Sequence, residues 1–332
     1  MVRRRSAIAA VVLAMLAVAV TALASPFRPA GPGPPPHVFA FLSGAGGAEL
    51  QDLRRYGTRI DVVAPNWFAL GVADGRVVGA PSAGVTALAR AEGVGVWPVV
   101  NALLGARDLG TAPVRARIAA AIATVAARHR YDGMTLDLEQ LPVAESGAFT
   151  RLVALVAGRL HADHRRLAVY VPRRTAHGGD PSYDWGALAR SADLLIASGY
   201  NEHSAAGPPG PVTTAAGFER MLEYGAGISR QKVAPAVGAF GYSWPAHGGA
   251  GRLISTVAAD AWRRRAHARL YGAGGDAFFF ARDRIVHYQT AAALAARAGD
   301  ARDVGMRWLA LFSLGREPDA FWSRVRTARQ PG

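Results

Sequence analysis

Cysteine is absent from the 332 residues, and lysine occurs only once, at Lys232. Without thiols, the chain has neither a disulfide framework nor a cysteine-ligated metal site. Its formal charge of +14 at pH 7 therefore comes almost entirely from arginine. A basic surface attracts anionic polymers. The sequence has no nucleic-acid-binding motif and no interleaving of basic and aromatic residues, so nucleic acid is not an expected partner.

Several common kinds of site are also missing. There is no G-x-S-x-G nucleophile elbow, and no glycine-rich phosphate-binding loop follows the first predicted strand. His161 and His164 share one helix face, but no carboxylate or cysteine stands at ligand spacing beside them. Neither a metal nor an organic cofactor is therefore predicted.

The amino terminus predicts export. Arg3, Arg4 and Arg5 precede an apolar run over residues 7–20 that continues weakly to residue 24. The last residues, Ala-Leu-Ala, form a small-x-small cleavage signal, as in a secretory signal peptide. The run is also close to the length of a membrane span, so residues 1–24 are interpreted as a signal peptide or a membrane anchor. A proline-rich linker over residues 25–36 follows.

Residues 37–329 alternate apolar strands with helices. Eight main strands are predicted at residues 37–43, 60–66, 94–101, 133–138, 167–171, 194–200, 233–237 and 308–312. Continuous apolar strands separated by helices favour a parallel sheet that is covered on the outside. The number of strands and the chain length predict an α/β fold, a (β/α)8 TIM barrel. An open doubly wound sheet is the alternative.

The region before the last barrel unit interrupts this alternation. Residues 240–282 contain several glycines, Trp244, Trp262 and the run Phe278-Phe279-Phe280. This stretch is interpreted as a small insertion before the last strand, followed by a helix over residues 285–298. A hairpin is also predicted over residues 68–79, around Asp74-Gly75.

The predicted strand over residues 133–138 ends in two carboxylates. Side chains two apart in a strand share a face, so Thr135, Asp137 and Glu139 point one way and the apolar residues between them point the other way. Adjacent carboxylates repel, and one of them is then easily kept protonated. In a barrel, the carboxyl ends of the strands carry the active site. The pair therefore predicts a general acid.

The residues around this pair resemble a family signature. Asp132-Gly133-x-x-x-Asp137-x-Glu139 resembles the D-G-x-D-x-D-x-E motif of glycoside hydrolase family 18, the chitinase-like family. The resemblance implies that Glu139 protonates the glycosidic oxygen and that Asp137 orients the N-acetyl group of the substrate. The sequence departs from the family at Thr135, where the family has Asp or Asn, and Thr135 could hydrogen-bond Asp137.

A second segment is similar to the bacterial branch that includes spore-cortex-lytic N-acetylglucosaminidases. Its residues are Ser198-Gly199-Tyr200-Asn201-Glu202-His203, followed by a Gly-Pro turn. The resemblance implies that Tyr200 binds the N-acetyl carbonyl group. Asn201 replaces an Asp of the family, so that a charge is lost and hydrogen bonding is kept.

Further residues are expected to contact the glycan. Tyr242 and Trp244 follow the seventh strand in a segment that resembles the family's G-[IV]-P-x-Y-G-Y-x-W, and their rings could stack on sugars. Phe312 stands where the family has a Trp floor under the reacting sugar. Asn66 and Trp67 end the second strand in a position that faces substrate in the family. Asp132 and Thr135 complete the predicted substrate-binding set.

The resemblance implies a glycosidase that cleaves β-1,4 bonds of N-acetylated amino-sugar glycans, in chitin oligomers or peptidoglycan. It implies a retaining, substrate-assisted mechanism, for which the family is an exception to the two-carboxylate scheme. The expected location is outside the cytoplasm, either secreted or tethered to the outer face of the membrane. The alternative is a non-catalytic, lectin-like glycan-binding protein, favoured by the departures at Thr135, Asn201 and Phe312 and opposed by Glu139. A membrane-tethered structural protein would not need the paired carboxylates.

Overall fold

The computed structural model describes residues 33–44, 46–105, 108–272 and 277–325. The predicted signal peptide or anchor, most of the predicted linker and residues 326–332 lie outside these ranges. Within them, no helix combines the length and the apolar character needed to cross a bilayer.

Eight parallel strands close into a barrel. They are labelled β1 to β8 and comprise His37–Leu42, Val62–Gly71, Val99–Leu103, Gly133–Glu139, Arg166–Val171, Leu194–Ser198, Val233–Gly238 and Trp308–Phe312. Each strand pairs with the next one along the chain, and β1 pairs with both β2 and β8. A short strand at Gly95–Val96 extends the pairing of β2, and Arg76–Gly79 forms a hairpin with it. The predicted (β/α)8 barrel is confirmed.

The described residues contain nine α-helices. They span Gly47–Tyr56, Ala83–Ala91, Ala112–His129, Ser146–Ala162, Trp185–Ser191, Ala215–Ser229, Thr256–Arg265, Ala291–Asp303 and Asp319–Arg324. Six of them begin after a side chain that accepts a hydrogen bond from the first turn, which is the usual N-cap. The capping residues are Ser82, Thr111, Asp184, Thr214, Ser255 and Thr290.

The alternation of side chains along the strands creates two apolar layers. Met134, Leu136 and Leu138 of β4 belong to the outer layer, which packs under the helices. Residues such as Phe39 and Ala168 belong to the inner layer, inside the barrel. The inner layer fills the barrel from below, so polar side chains at the carboxyl ends of the strands face a closed floor.

The insertion between β7 and β8 is larger than predicted. It contains a four-stranded antiparallel sheet formed by Phe240–Pro245, Arg252–Ser255, Phe278–Ala281 and Arg284–Tyr288. The helix predicted to begin at residue 285 is therefore wrong at its start. The residues of Arg284–Tyr288 pair with two neighbouring strands, and the helix begins only after Thr290, whose hydroxyl group caps it.

Candidate active site

Asp137 and Glu139 lie at the carboxyl end of β4, on its inner face. The parallel register aligns Asp137 with Asn101 and Glu139 with Leu103 of β3. The intervening Leu138 is fully buried in the outer layer. The sequence spacing therefore brings both carboxyl groups to the mouth of the barrel, side by side and pointing the same way.

Burial changes the acidity of both groups. Burial, followed by the charge of Glu139, raises the pKa of Asp137 from 3.8 to about 7. Burial also raises the pKa of Glu139. Oδ1 of Asp137 is shielded from solvent and has no hydrogen-bond partner among the described residues. The pair can therefore hold a proton near neutral pH.

Thr135 lies on the same inner face but does not contact this pair through its hydroxyl group. The side chain is completely buried, and Oγ1 donates a hydrogen bond of 2.9 Å to the carbonyl oxygen of Trp97. The expectation that Thr135 bonds Asp137 does not agree with this geometry, because the backbone acceptor takes its only proton. Thr135 is part of the closed floor and not of the substrate-facing surface.

Tyr200 and Phe312 form an aromatic floor. Their ring centres lie 5.6 Å apart, and both rings also contact Phe240. Phe312 is partly exposed. Burial, followed by the charges of Tyr170, Asp137 and Glu139, raises the pKa of Tyr200 well above its usual value. Tyr200 therefore keeps its proton and can donate a hydrogen bond beside the carboxyl pair.

Asn201 and Tyr242 form the next part of the rim. The hydroxyl group of Tyr242 donates a hydrogen bond of 2.9 Å to Oδ1 of Asn201. Asn201 has φ = 63°, a left-handed conformation that Asn tolerates better than most residues. The bond connects the loop after β6 to the first strand of the insertion, and the amide group of Asn201 remains available as a donor.

Trp244 differs from its predicted role. Its ring was predicted to stack on a sugar, yet the side chain is fully buried, and Nε1 donates a hydrogen bond of 3.0 Å to the carbonyl oxygen of Gly207. No ring face is open to a ligand in this conformation. The ring of Trp244 instead packs against that of Tyr242, with 5.6 Å between the ring centres.

Asp132 and Trp67 are not brought to the mouth of the barrel. Asp132 precedes β4, and its carboxylate accepts a hydrogen bond of 2.8 Å from the amide of Val96 at the amino end of the barrel. The five residues from Asp132 to Asp137 span about 16 Å of extended chain. Trp67 packs against the outer layer, 6.1 Å from the ring of Tyr131. The predicted substrate contacts of both residues therefore disagree with their positions.

Gly133, which follows Asp132 in the signature, is required for a structural reason. A Cβ atom at this position would lie 2.7 Å from the indole ring of Trp97 and equally close to the carbonyl oxygen of Arg166. Only glycine allows this approach. The first half of the signature thus shapes the base of the barrel, and its second half carries the acidic pair.

Asn66 does reach the mouth. It is exposed, and its Oδ1 accepts a hydrogen bond from Nδ2 of Asn101. Asn101 was not among the predicted site residues, although it ends a predicted strand as Asn66 does. Tyr170 of β5 was also missed. Burial raises the pKa of Tyr170, and the charges of Asp137 and Glu139 add to this. The alternation along β5, which places Ala168 inside, was the signal for Tyr170.

The residues at the mouth of the barrel form a site that combines carboxyl groups with aromatic rings. Two carboxyl groups, one with a pKa of about 7, face an aromatic floor at the carboxyl end of a (β/α)8 barrel. Amide and phenol groups surround them. Aromatic faces pack against the apolar faces of sugar rings, and a buried acid can protonate a leaving oxygen. The fold and the site together define a carbohydrate-processing type of barrel.

Known proteins with similar sequence or structure belong to the same type. The uncharacterized glycosylase YvbX of Bacillus subtilis (strain 168) is 22% identical over 303 residues, 84% of this chain and 88% of the relative. A chitinase of Chromobacterium violaceum has a TM-score of 0.79 at 24% identity, over 87% of this chain and 98% of that chain. The spore cortex-lytic enzyme SleL of Bacillus cereus has a TM-score of 0.78 at 15% identity, and the match covers 88% of this chain and 74% of that chain.

No family model matches the chain. The relatives nevertheless confirm the resemblance to chitinase-like glycosidases that the sequence motifs indicated. The chain is similar over most of its length to a protein named as a glycosylase, and it has the fold of a chitinase and of the cortex-lytic enzyme.

Proposed function

We propose that the protein is a glycoside hydrolase that cleaves β-1,4 bonds next to N-acetylated amino sugars. The observation that carries the proposal is the acidic pair. Asp137 and Glu139 share the inner face of β4, and the pKa of Asp137 is raised to about 7. Chitin oligomers and peptidoglycan glycan both contain this bond, and the similarity to a chitinase and to a cortex-lytic enzyme supports the same pair of substrates.

The proposed mechanism is substrate-assisted and retaining. Glu139 donates its proton to the glycosidic oxygen while the acetamido oxygen of the substrate attacks the anomeric carbon. The bond to the leaving sugar breaks, and a cyclic oxazolinium ion forms. Asp137 accepts a hydrogen bond from the acetamido N–H and stabilises the positive charge, and the hydroxyl group of Tyr200 donates to the same group. Glu139, now a carboxylate, takes a proton from water, which opens the ring with retained configuration.

The test is incubation of the purified protein with chitin oligomers and with peptidoglycan, followed by mass analysis of the products. N-acetylated glycan is expected to be cut, and glycan without the acetyl group at the reacting sugar is expected to resist, because the internal nucleophile is missing. A thiazoline analogue of the cyclic intermediate should inhibit, since it resembles the transition state. Equal cleavage of the de-N-acetylated glycan would refute the substrate-assisted mechanism, although the protein would still be a glycosidase.

A lectin-like protein is the second candidate. It is favoured by the hydrogen bond from Thr135 to Trp97, which leaves Asp137 without the hydroxyl partner expected from its own strand. The changes at Asn201 and Phe312 point the same way. Binding of N-acetylated oligomers without any product after long incubation, over a range of chain lengths, would favour this candidate over the hydrolase.

We further propose that the protein acts outside the cytoplasmic membrane. The support is the basic and apolar amino-terminal segment over residues 3–24, which is typical of an export signal. A glycosidase of wall polymers has its substrate on that side. Whether the segment is cleaved or kept as an anchor is a separate question with a direct test.

A further inference from the structure

Arg316 lies on the rim of the barrel mouth, four residues after β8. Its Nη2 donates a hydrogen bond of 3.0 Å to the hydroxyl group of Ser43, which follows β1. Ser43 in turn shares a hydrogen bond of 2.8 Å with Ser313. Two loops therefore hold the guanidinium in place, and its side chain is partly exposed.

The positive charge of Arg316 is not neutralised by an ion pair. Within the described ranges, no carboxylate lies at salt-bridge distance from it. Burial raises the pKa of Glu49, and the nearby charge of Arg316 only partly opposes this shift. The carboxylate of Glu49 instead accepts hydrogen bonds from the amides of Ser43 and Gly44. Nη1 of Arg316 is buried and has no acceptor. An unpaired, partly desolvated guanidinium favours the binding of an anion.

Arg316 also belongs to the candidate active site by position. In the closed order of eight strands, β8 stands half a turn from β4, so the loop that carries Arg316 begins on the opposite side of the barrel from the end of β4. The charge of Arg316 opposes the burial that raises the pKa of Tyr242, and Tyr242 holds Asn201. Phe312, the exposed part of the floor, ends β8 itself. A glycan that lies on this floor therefore meets carboxyl groups on one side and a guanidinium on the other.

We propose that Arg316 and Ser43 form a carboxylate-binding subsite that selects glycan strands carrying the lactyl carboxylate of N-acetylmuramic acid over neutral chitin. This inference rests on the proposed glycosidase function and names its substrate class. Because Nη1 is buried and Nη2 already donates one proton to Ser43, the edge formed by Nε and Nη2 is the part of the guanidinium that can donate two parallel hydrogen bonds to a carboxylate. Ser43 holds the guanidinium in this orientation. Neutral chitin offers no group that uses the charge.

The chemistry of peptidoglycan adds a position in a reaction sequence. In intact peptidoglycan, the lactyl carboxyl group is bound in an amide to the stem peptide, so it carries no charge. The free carboxylate appears when that amide is hydrolysed. The preferred substrate is therefore a glycan strand from which an amidase has already removed the peptides, and this protein acts after that reaction.

The experiment compares three tetrasaccharides. One consists of two disaccharide repeats with free lactyl carboxylates, the second is its methylamide derivative, and the third is the chitin tetramer. Hydrolysis and calorimetric binding are measured for the wild type, Arg316→Gln, Arg316→Lys and Arg159→Gln. Arg159 lies on the exposed face of the helix Ser146–Ala162, so its replacement changes the net charge equally without touching the mouth.

The wild type is expected to prefer the free carboxylate over the methylamide. Arg316→Gln should reduce this ratio about 10- to 100-fold, the range of a charge-assisted hydrogen bond. Arg316→Lys should keep part of the preference, since it keeps the charge and loses the fork. Arg159→Gln should keep all of it. The preference should also weaken from about 50 to about 500 mM salt, as exposed charges become screened.

The outcomes separate the two proposals. The subsite proposal fails if the wild type cleaves the chitin tetramer and shows no preference for the carboxylate. It also fails if Arg316→Gln keeps the same preference as the wild type. In both cases the proposed glycosidase function still stands. If none of the three glycans is cleaved, the proposed function fails, and the calorimetric preference alone decides the subsite. Equal losses on all three glycans in Arg316→Gln would show that Arg316 only supports the fold.

Discussion

The hydroxyl group of Thr135 donates its hydrogen bond to the carbonyl oxygen of Trp97, at 2.9 Å, and Asp137 two residues further along the strand is left without it. The position that carries Asp or Asn in the resembling family therefore serves the barrel floor in this chain. The acidic pair consists of Asp137 and Glu139 alone. Burial raises the pKa of both groups, and the charge of Glu139 further raises that of Asp137.

Glu139→Gln should abolish most hydrolysis and keep glycan binding. The amide has the shape of the acid but no proton to donate, and loss of a positioned acid costs about 10²–10⁴-fold in rate. The rate of product release tests the loss of hydrolysis, and calorimetry tests whether glycan binding is kept. Glu219→Gln, on the exposed face of the helix Ala215–Ser229, is the matched control. Turnover like that of the wild type in Glu139→Gln would remove Glu139 from the mechanism.

Asp137→Asn should stabilise the fold at high pH while it weakens turnover. The pKa of Asp137 is raised from 3.8 to about 7 by burial and by Glu139, so between these values the folded protein binds a proton that the unfolded chain releases. The free energy of unfolding of the wild type therefore falls as pH rises through this window. Above pH 7, the variant should be more stable by about 2–4 kcal/mol.

Denaturant unfolding of both proteins at several pH values measures this difference, which should vanish below about pH 4. Asp303→Asn, on the exposed end of the helix Ala291–Asp303, removes the same charge at the surface and is the matched control. A stability gain that stays constant with pH would mean that Asp137 does not titrate in this range.

Thr135→Val should cost stability and leave turnover within a few-fold of the wild type. The substitution keeps the shape and removes the donor, so the carbonyl oxygen of Trp97 becomes an unsatisfied buried acceptor, at a cost of about 1–3 kcal/mol. Thr124→Val, on an exposed helix surface where the hydroxyl group bonds Ala120, is the control and should be nearly neutral. A large loss of turnover with unchanged stability would instead place Thr135 in the catalytic machinery.

Tyr200→Phe should reduce turnover at least about tenfold, because one donor to the reacting acetamido group is lost. Thermal stability should change little, since the ring contacts with Phe240 and Phe312 remain. The control is Tyr56→Phe, which removes a hydroxyl group that bonds Asp319 outside the barrel. That variant should lose about 1 kcal/mol of stability with normal turnover. The reverse pattern would contradict the assigned role of Tyr200.

Fractionation of the native host should place the protein outside the cytoplasmic membrane. A cleaved signal peptide requires a mature amino terminus near Ser25, whereas an anchor retains Arg3 to Arg5 in the membrane fraction. Sequencing of the mature amino terminus decides between the two. Recovery of the full chain from the cytoplasm would disprove export.

Much of the fold follows from local sequence patterns. Apolar strands alternating with helices predicted the barrel, and the alternation along residues 133–139 predicted which side chains of β4 point inward. Both depend on the period of side chains along an element, which sequence displays directly. The helix expected from residue 285 failed for a related reason. Arg284–Tyr288 is held as a strand by pairing with Phe240–Pro245 and Phe278–Ala281, and such long-range pairing leaves little local trace.

The sequence by itself determined that Asp137 and Glu139 share one face of a strand and that Gly133 precedes them. Only the tertiary structure decided what surrounds them. It buried Trp244, directed Thr135 to Trp97, moved Asp132 and Trp67 away from the mouth, and joined Arg316 to Ser43. Spacing along a strand sets the direction of a side chain, whereas its exposure, partners and acidity depend on residues far away in the chain that packing brings together.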